Sequence, residues 1–285
     1  MTKPVRLGEV TCPSGELVIV DGGYLRLWSA DQSPMTIDSE VLGREPDLSV
    51  DGDIPHRELV RQVGQSGGGE FWMCGVPAIA VAGLPAGKLL DVLGDPVQDG
   101  WGSIRIVVSD APVAESRTLG EIGLDWARIA VADADALSAW RHDEPIDGRA
   151  DVAFWGAAED EAAEAFGAPL LDIPGEEGVH GWMDLSVDEA SLRAAELVAW
   201  RDMHAVRRLM VDFRPHSHHW QVMRGVRASS TDSGMVEVGG AWLLFAMTSW
   251  GDGYFPVVLD VDASGALVDI RIILADDPPP DDDAD

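Results

Sequence analysis

Short apolar runs stand about ten residues apart over 71–76, 78–82, 89–93 and 104–108, and Gly or Pro punctuates every one of them. Strands joined by tight turns produce that pattern. Earlier, Gly15-Glu-Leu-Val-Ile-Val runs into Asp21-Gly22-Gly23 and then Tyr24-Leu-Arg-Leu-Trp28, which predicts a hairpin. The clearest stretch is 242–274, where three apolar runs rich in β-branched and aromatic residues are separated by Gly251-Asp252-Gly253 and by Asp262-Ala263-Ser264-Gly265. Those separators supply turn chemistry, so the stretch predicts a three-strand antiparallel meander with Gly253 at positive φ.

Between the two β-rich regions the rhythm lengthens. Residues 133–140 read as helical, 151–155 as a short strand, and the Ala/Glu-rich 157–166 as a helix closed by Gly167 and then Pro169. The longest predicted helix runs from 187 to about 210, with Ser186 as its cap and Glu189 completing a capping box. Residues 29–63 are polar and Pro-rich, with one short helix predicted near 56–63, and 276–285, with three prolines and six aspartates, reads as a disordered acidic tail. The predicted fold class is α+β: antiparallel sheets, a β-rich N-terminal part, and a long helix followed by a C-terminal antiparallel meander. The change of rhythm predicts subdomains at 1–117 and 118–275 with the tail beyond, and one continuous domain is the alternative.

Composition narrows the class. Hydrophobic residues make up 46% and there are eleven Trp, so the chain is able to bury a proper core. The formal charge is −30, from 50 acidic against 20 basic residues, and without the six tail aspartates it is still −24. Such a surface repels phosphate backbones and attracts basic partners, which argues against nucleic acid. The opening Met-Thr-Lys-Pro-Val-Arg lacks the apolar region of a secretory signal, and there is no run long enough to span a bilayer. Cys12 and Cys74 stand apart from each other, as inert thiols of a reducing compartment do. A cytoplasmic protein with no membrane contact is expected.

Four groupings invite chemistry. In Pro215-His216-Ser217-His218-His219-Trp220, His216 and His218 would point the same way on an extended strand and offer two ligands to a metal, with Asp212, Asp252 or Asp260 as candidate carboxylates. The competing reading is that these histidines hydrogen-bond backbone and stack on Trp, and no cofactor is expected. Gly64-Gln65-Ser66-Gly67-Gly68 fits a nucleophile elbow formally, but the glycines and the strand-like text after it predict a loop. Asp260, Asp262, Ser264 and Gly265 imitate half a calcium loop, but Arg271 stands where the closing glutamate belongs, so a hairpin turn is expected. Trp250, Asp252 and Tyr254, gathered around the Gly251–Gly253 turn, are the candidate binding residues.

The chain also resembles a known family. Gly251, Asp252, Gly253, Tyr254 or Phe255 and Pro256, followed by Asp262 and Gly265, match its Gly-Asp-Gly-aromatic-Pro turn and later Asp-x-x-Gly turn, and Cys12-Pro-Ser-Gly-Glu-Leu-Val-Ile-Val-Asp21 resembles its opening strand. The family is the bacterial one grouped as domain of unknown function 4241. The resemblance implies a bacterial protein and lends no activity and no catalytic residue. Charge and motifs together predict a non-enzymatic, immunity-like binding protein for a basic partner. The alternative is a metal-dependent hydrolase centred on His216 and His218.

Overall fold

The structure, a computed structural model, describes residues 3–37, 52–98 and 100–275. The acidic tail at 276–285 and the Pro46 stretch of the polar loop lie outside the described residues. In chain order the first part holds β1 (Val5–Thr11), β2 (Glu16–Asp21), helix α1 (His56–Gly64), β3 (Gly68–Met73), β4 (Val76–Ala82), β5 (Leu89–Val97), β6 (Gly100–Val107), β7 (Glu115–Leu124) and β8 (Arg128–Asp133). Next come β9 (Arg149–Gly156), α2 (Glu159–Phe166), β10 (His180–Ser186), α3 (Val187–Met203), β11 (Leu209–Pro215) and α4 (His218–Ala228). The last strands are β12 (Ser233–Val238), β13 (Ala241–Met247), β14 (Gly253–Val261) and β15 (Leu267–Ile273). The fold is α+β and dominated by antiparallel sheet.

Two compact units result, one of Met1–Trp140 with Ser229–Asp285, the other of Arg141–Ala228. The subdomain boundary expected after residue 117 falls inside β7, in the middle of the first unit. That unit contains two six-stranded sheets, ordered β1-β5-β6-β15-β14-β7 and β12-β13-β8-β2-β4-β3. Alternate residues of both, among them Val92, Ile106, Ile270 and Val257 from one and Ile19, Ile79, Val131 and Leu244 from the other, fill one shared core. Burial of one face of each sheet is what stabilises such a sandwich.

Four expectations about this unit change. The meander divides: β14 and β15 form the hairpin expected at Asp262–Gly265, but β13 pairs with β12 and β8 in the other sheet. The Gly251 turn therefore carries the chain from one sheet to the other. Gly251 and Ser249 take the positive φ there (81° and 63°), while Gly253 begins β14 in extended backbone. Tyr24–Trp28 is not the second strand of a hairpin, because residues Gly22–Leu27 coil into a 3-10 turn. Asp21 drives that turn: its buried carboxylate accepts the N–H of Gly23 at 2.7 Å and those of Asp125 and Trp126 at 2.7 and 3.0 Å. The stretch 133–140 is not a helix either: Asp133 ends β8, and only a short 3-10 turn, Ala136–Ala139, follows. As expected, Gly64–Gly68 is the end of α1 and the turn into β3, Asp262 Oδ1 collects the N–H groups of Ser264 and Ala266 at the hairpin, and both cysteines are buried.

In the second unit β9 lies between β10 and β11, antiparallel to both. Ala150, Val152 and Phe154 of β9 and Leu209 of β11 pack on Ala162 and Ala163 of α2 and on Ala190 and Leu197 of α3. Helix α3 begins where expected, with Ser186 Oγ accepting the Glu189 N–H at 3.3 Å, but it ends at Met203, several residues early. The chain turns there through Ala205 at φ 54°, with neither Gly nor Pro to announce the stop. No helix among the described residues is long and apolar enough to cross a membrane.

Candidate functional site

Period-two alternation gives the β9–β11 sheet a second face. With 150, 152 and 154 committed to the helices, Asp151 and Trp155 point the other way. The register sets Arg214 opposite Asp151 and Asp212 opposite Ala153, so these four polar and aromatic side chains share a face. Two clusters are built on it.

The first surrounds His216. Beyond the end of β11 the backbone keeps its antiparallel bonding, His216 N–H to Arg149 O and Ile146 N–H to His216 O, both at 3.0 Å. The buried imidazole is thereby held between two carboxylates, with Nδ1 at 3.0 Å from Asp147 Oδ2 and Nε2 at 3.0 Å from Asp151 Oδ1. Trp220 stacks on the ring at 4.1 Å. Burial pulls the His216 pKa down, but the hydrogen bonds to Asp151 and Asp147 outweigh it and hold the ring above its ordinary value. Asp151 Oδ1 also accepts the Asp184 N–H at 2.8 Å. Asp184 sits in the β10 bulge at φ 57°, which brings its exposed carboxylate to the cluster.

His218 belongs elsewhere. It starts helix α4 rather than continuing a strand, so the expected i, i+2 pairing with His216 does not form. Its Nδ1 accepts the Arg141 N–H at 2.9 Å and its own N–H donates to Arg141 O at 3.0 Å. Burial, then Arg141, lowers its pKa. Ser217 Oγ accepts the Trp220 N–H at 3.1 Å and is thus spent capping α4. The carboxylates proposed as co-ligands are likewise engaged or distant in sequence. Asp212 binds Arg214, Asp260 pairs with Arg271 at 2.5 Å in the sandwich, and Asp252 lies in the sheet-to-sheet turn. Asp147, Asp151 and Asp184 are the carboxylates gathered at His216 instead. Nothing in their sequence spacing marks them, because strand register and a bulge bring them together.

The second cluster lines a pocket of about 360 Å³, bounded by Trp155, Glu176, Glu177, Asp212, Arg214 and Arg227. Arg214 is buried and forks between Asp212 Oδ2 at 2.7 Å and Glu176 Oε2 at 2.8 Å. Burial opposes its charge, yet these two carboxylates raise its pKa above the ordinary arginine value. Glu176 also takes Arg227 on Oε1 at 2.9 Å. A Pro-Gly turn delivers Glu176: Glu176 N–H donates to Ile173 O at 3.0 Å around Pro174 and Gly175, and Gly175 has the φ of 79° that the third residue of a type II turn requires. The same glycine lies so close to the end of α4 that a Cβ would meet Arg227 O at 2.4 Å.

Trp250, Asp252 and Tyr254 are in the other unit, around the turn from β13 to β14. Trp250 is 45% exposed although its indole N–H donates to Trp101 O at 2.7 Å, and Tyr254 is 67% exposed. Searches of protein-family models, characterised proteins and solved structures found no match for this chain.

Proposed function

We propose that the chain is a non-enzymatic binding protein for a basic protein partner, of the immunity type, and that the Trp155–Arg227 pocket receives one of that partner's guanidinium or ammonium groups. The observation that carries this reading is the uneven charge of the pocket. Glu176 is fully used by Arg214 and Arg227, while Glu177 is exposed and Asp212 keeps one oxygen beyond Arg214 with its side chain 42% exposed. Three carboxylates face two guanidiniums, so an incoming cation completes the balance. Trp155 lines the pocket and already carries the Arg214 guanidinium over its ring at 5.8 Å, so the incoming cation is held by the carboxylates. The overall charge of −30 supports the same sign of partner at long range, raising encounter rates with cations.

Exposed Trp250, Tyr254 and Asp252 form a separate proposed contact patch for the partner. Resemblance to the family of domain of unknown function 4241 supports a bacterial protein, and two buried cysteines far apart in sequence suit a cytoplasmic one. The hydrolase reading needs His216 and His218 in one site, and their bonding directs them to different partners.

Calorimetric titration of the full chain with tetra-arginine and with tetraglutamate at about 0.02 M and about 0.5 M salt tests the proposal. Saturable binding of tetra-arginine alone, weakened at least tenfold at the higher salt, is expected. Equal affinity for the two peptides, or none for either, would overturn it.

A further inference from the structure

We propose that Asp151, Asp184 and His216 bind one divalent transition ion, Zn²⁺ or Mn²⁺, with Asp147 as the positioning residue behind the histidine. One ligand atom from each of the three lies within 4.8 Å of the others. Asp151 and His216 are fixed in buried positions, and Asp184, exposed at the bulge, is free to close on an ion that enters from its side. That leaves open coordination positions for water, as three-ligand sites of this kind do.

The histidine geometry distinguishes this from an ordinary group of acids. A metal-bound histidine almost always donates its second ring N–H to a carboxylate, which fixes the tautomer and the ring orientation. Asp147 stands in that relation to Nδ1 at 3.0 Å, while Nε2 faces Asp151. Trp220, stacked at 4.1 Å, stops the ring from turning. On binding, the ion takes the place of the Nε2 proton, which leaves to solvent, and Asp147 keeps its hydrogen bond. One imidazole with two carboxylates suits zinc or manganese, whereas an all-oxygen set would suit calcium or magnesium and thiolates would suit copper(I). The site uses none of the pocket residues, so it can fail while the pocket reading stands.

The test is titration of the full chain with ZnCl₂ and with MnCl₂ in chelator-free buffer. One ion per chain is expected. Asp184→Asn, an exposed change that leaves the buried bonds intact, should weaken binding at least about tenfold, and Asp147→Asn by about 10–100-fold. Asp160→Asn, at a 94% exposed carboxylate on α2, should leave it unchanged. Mn²⁺ should quench the part of the tryptophan fluorescence that Trp220→Phe removes. No one-to-one binding, an Asp184→Asn affinity equal to that of the original chain, or quenching that survives Trp220→Phe would each overturn the site.

Discussion

Arg214 and Glu176 meet at 2.8 Å with side chains only 9% and 12% exposed, so each compensates part of the other's loss of water, beside Asp212 on Arg214 and Arg227 on Glu176. Removing one member of such a pair leaves a buried charge partly unmatched. Asp212 remains on Arg214, which limits the loss. Glu176→Gln is predicted to lower stability by about 1–3 kcal/mol, whereas exposed Glu177→Gln should stay within about 0.5 kcal/mol. Urea unfolding of the two variants checks this, and equal midpoints would show that the pair does not hold the pocket.

Gly175 carries a second prediction about the same pocket. Its φ of 79° and the 2.4 Å from a would-be Cβ to Arg227 O both exclude a side chain. Gly175→Ala should destabilise by about 1–3 kcal/mol and move Glu176 off Arg227. Unchanged stability would mean that the Pro174–Gly175 turn relaxes freely.

A third prediction concerns pH and the sandwich unit. His56 Nδ1 accepts the Ser29 N–H at 3.0 Å, and burial lowers the His56 pKa from 6.5 to about 4. The unfolded chain therefore takes up this proton first, and stability is lost as pH falls from 6.5 towards 4. Asp21 acts oppositely. Burial, resisted by three N–H donors, raises its pKa from 3.8 to about 6, so its contribution is present in acid and is lost as pH rises through that window. His56→Asn keeps an acceptor for Ser29 and removes the first slope. Between about pH 4.5 and 6 the variant should lose about 1–2 kcal/mol more than the original chain as pH rises. Parallel stability profiles would contradict this.

Much of the secondary structure was legible because local chemistry sets it. Gly167 after the Ala/Glu helix, Ser186 before α3 and Asp262–Gly265 at the last hairpin each act within a few residues. What was not legible depended on partners distant in sequence. β13 leaves the expected meander because β8, more than a hundred residues earlier, pairs with it, and the Tyr24 segment coils because Asp21 bonds to Asp125 and Trp126. The candidate sites follow the same division. His216 stood out in its histidine cluster, but Asp147, Asp151 and Asp184 reach it only through strand register and a bulge. Glu176 reaches Arg214 only when a turn folds it back over β11.

The central claim is that a cation enters the pocket beside Glu177, and reversing that one exposed charge tests it most directly. Tetra-arginine should bind Glu177→Lys at least about tenfold more weakly than the original chain at about 0.05 M salt, with thermal unfolding of the variant unchanged, because a like charge now stands where the balance was incomplete. An affinity equal to that of the original chain would place cation binding elsewhere on the acidic surface and contradict the account.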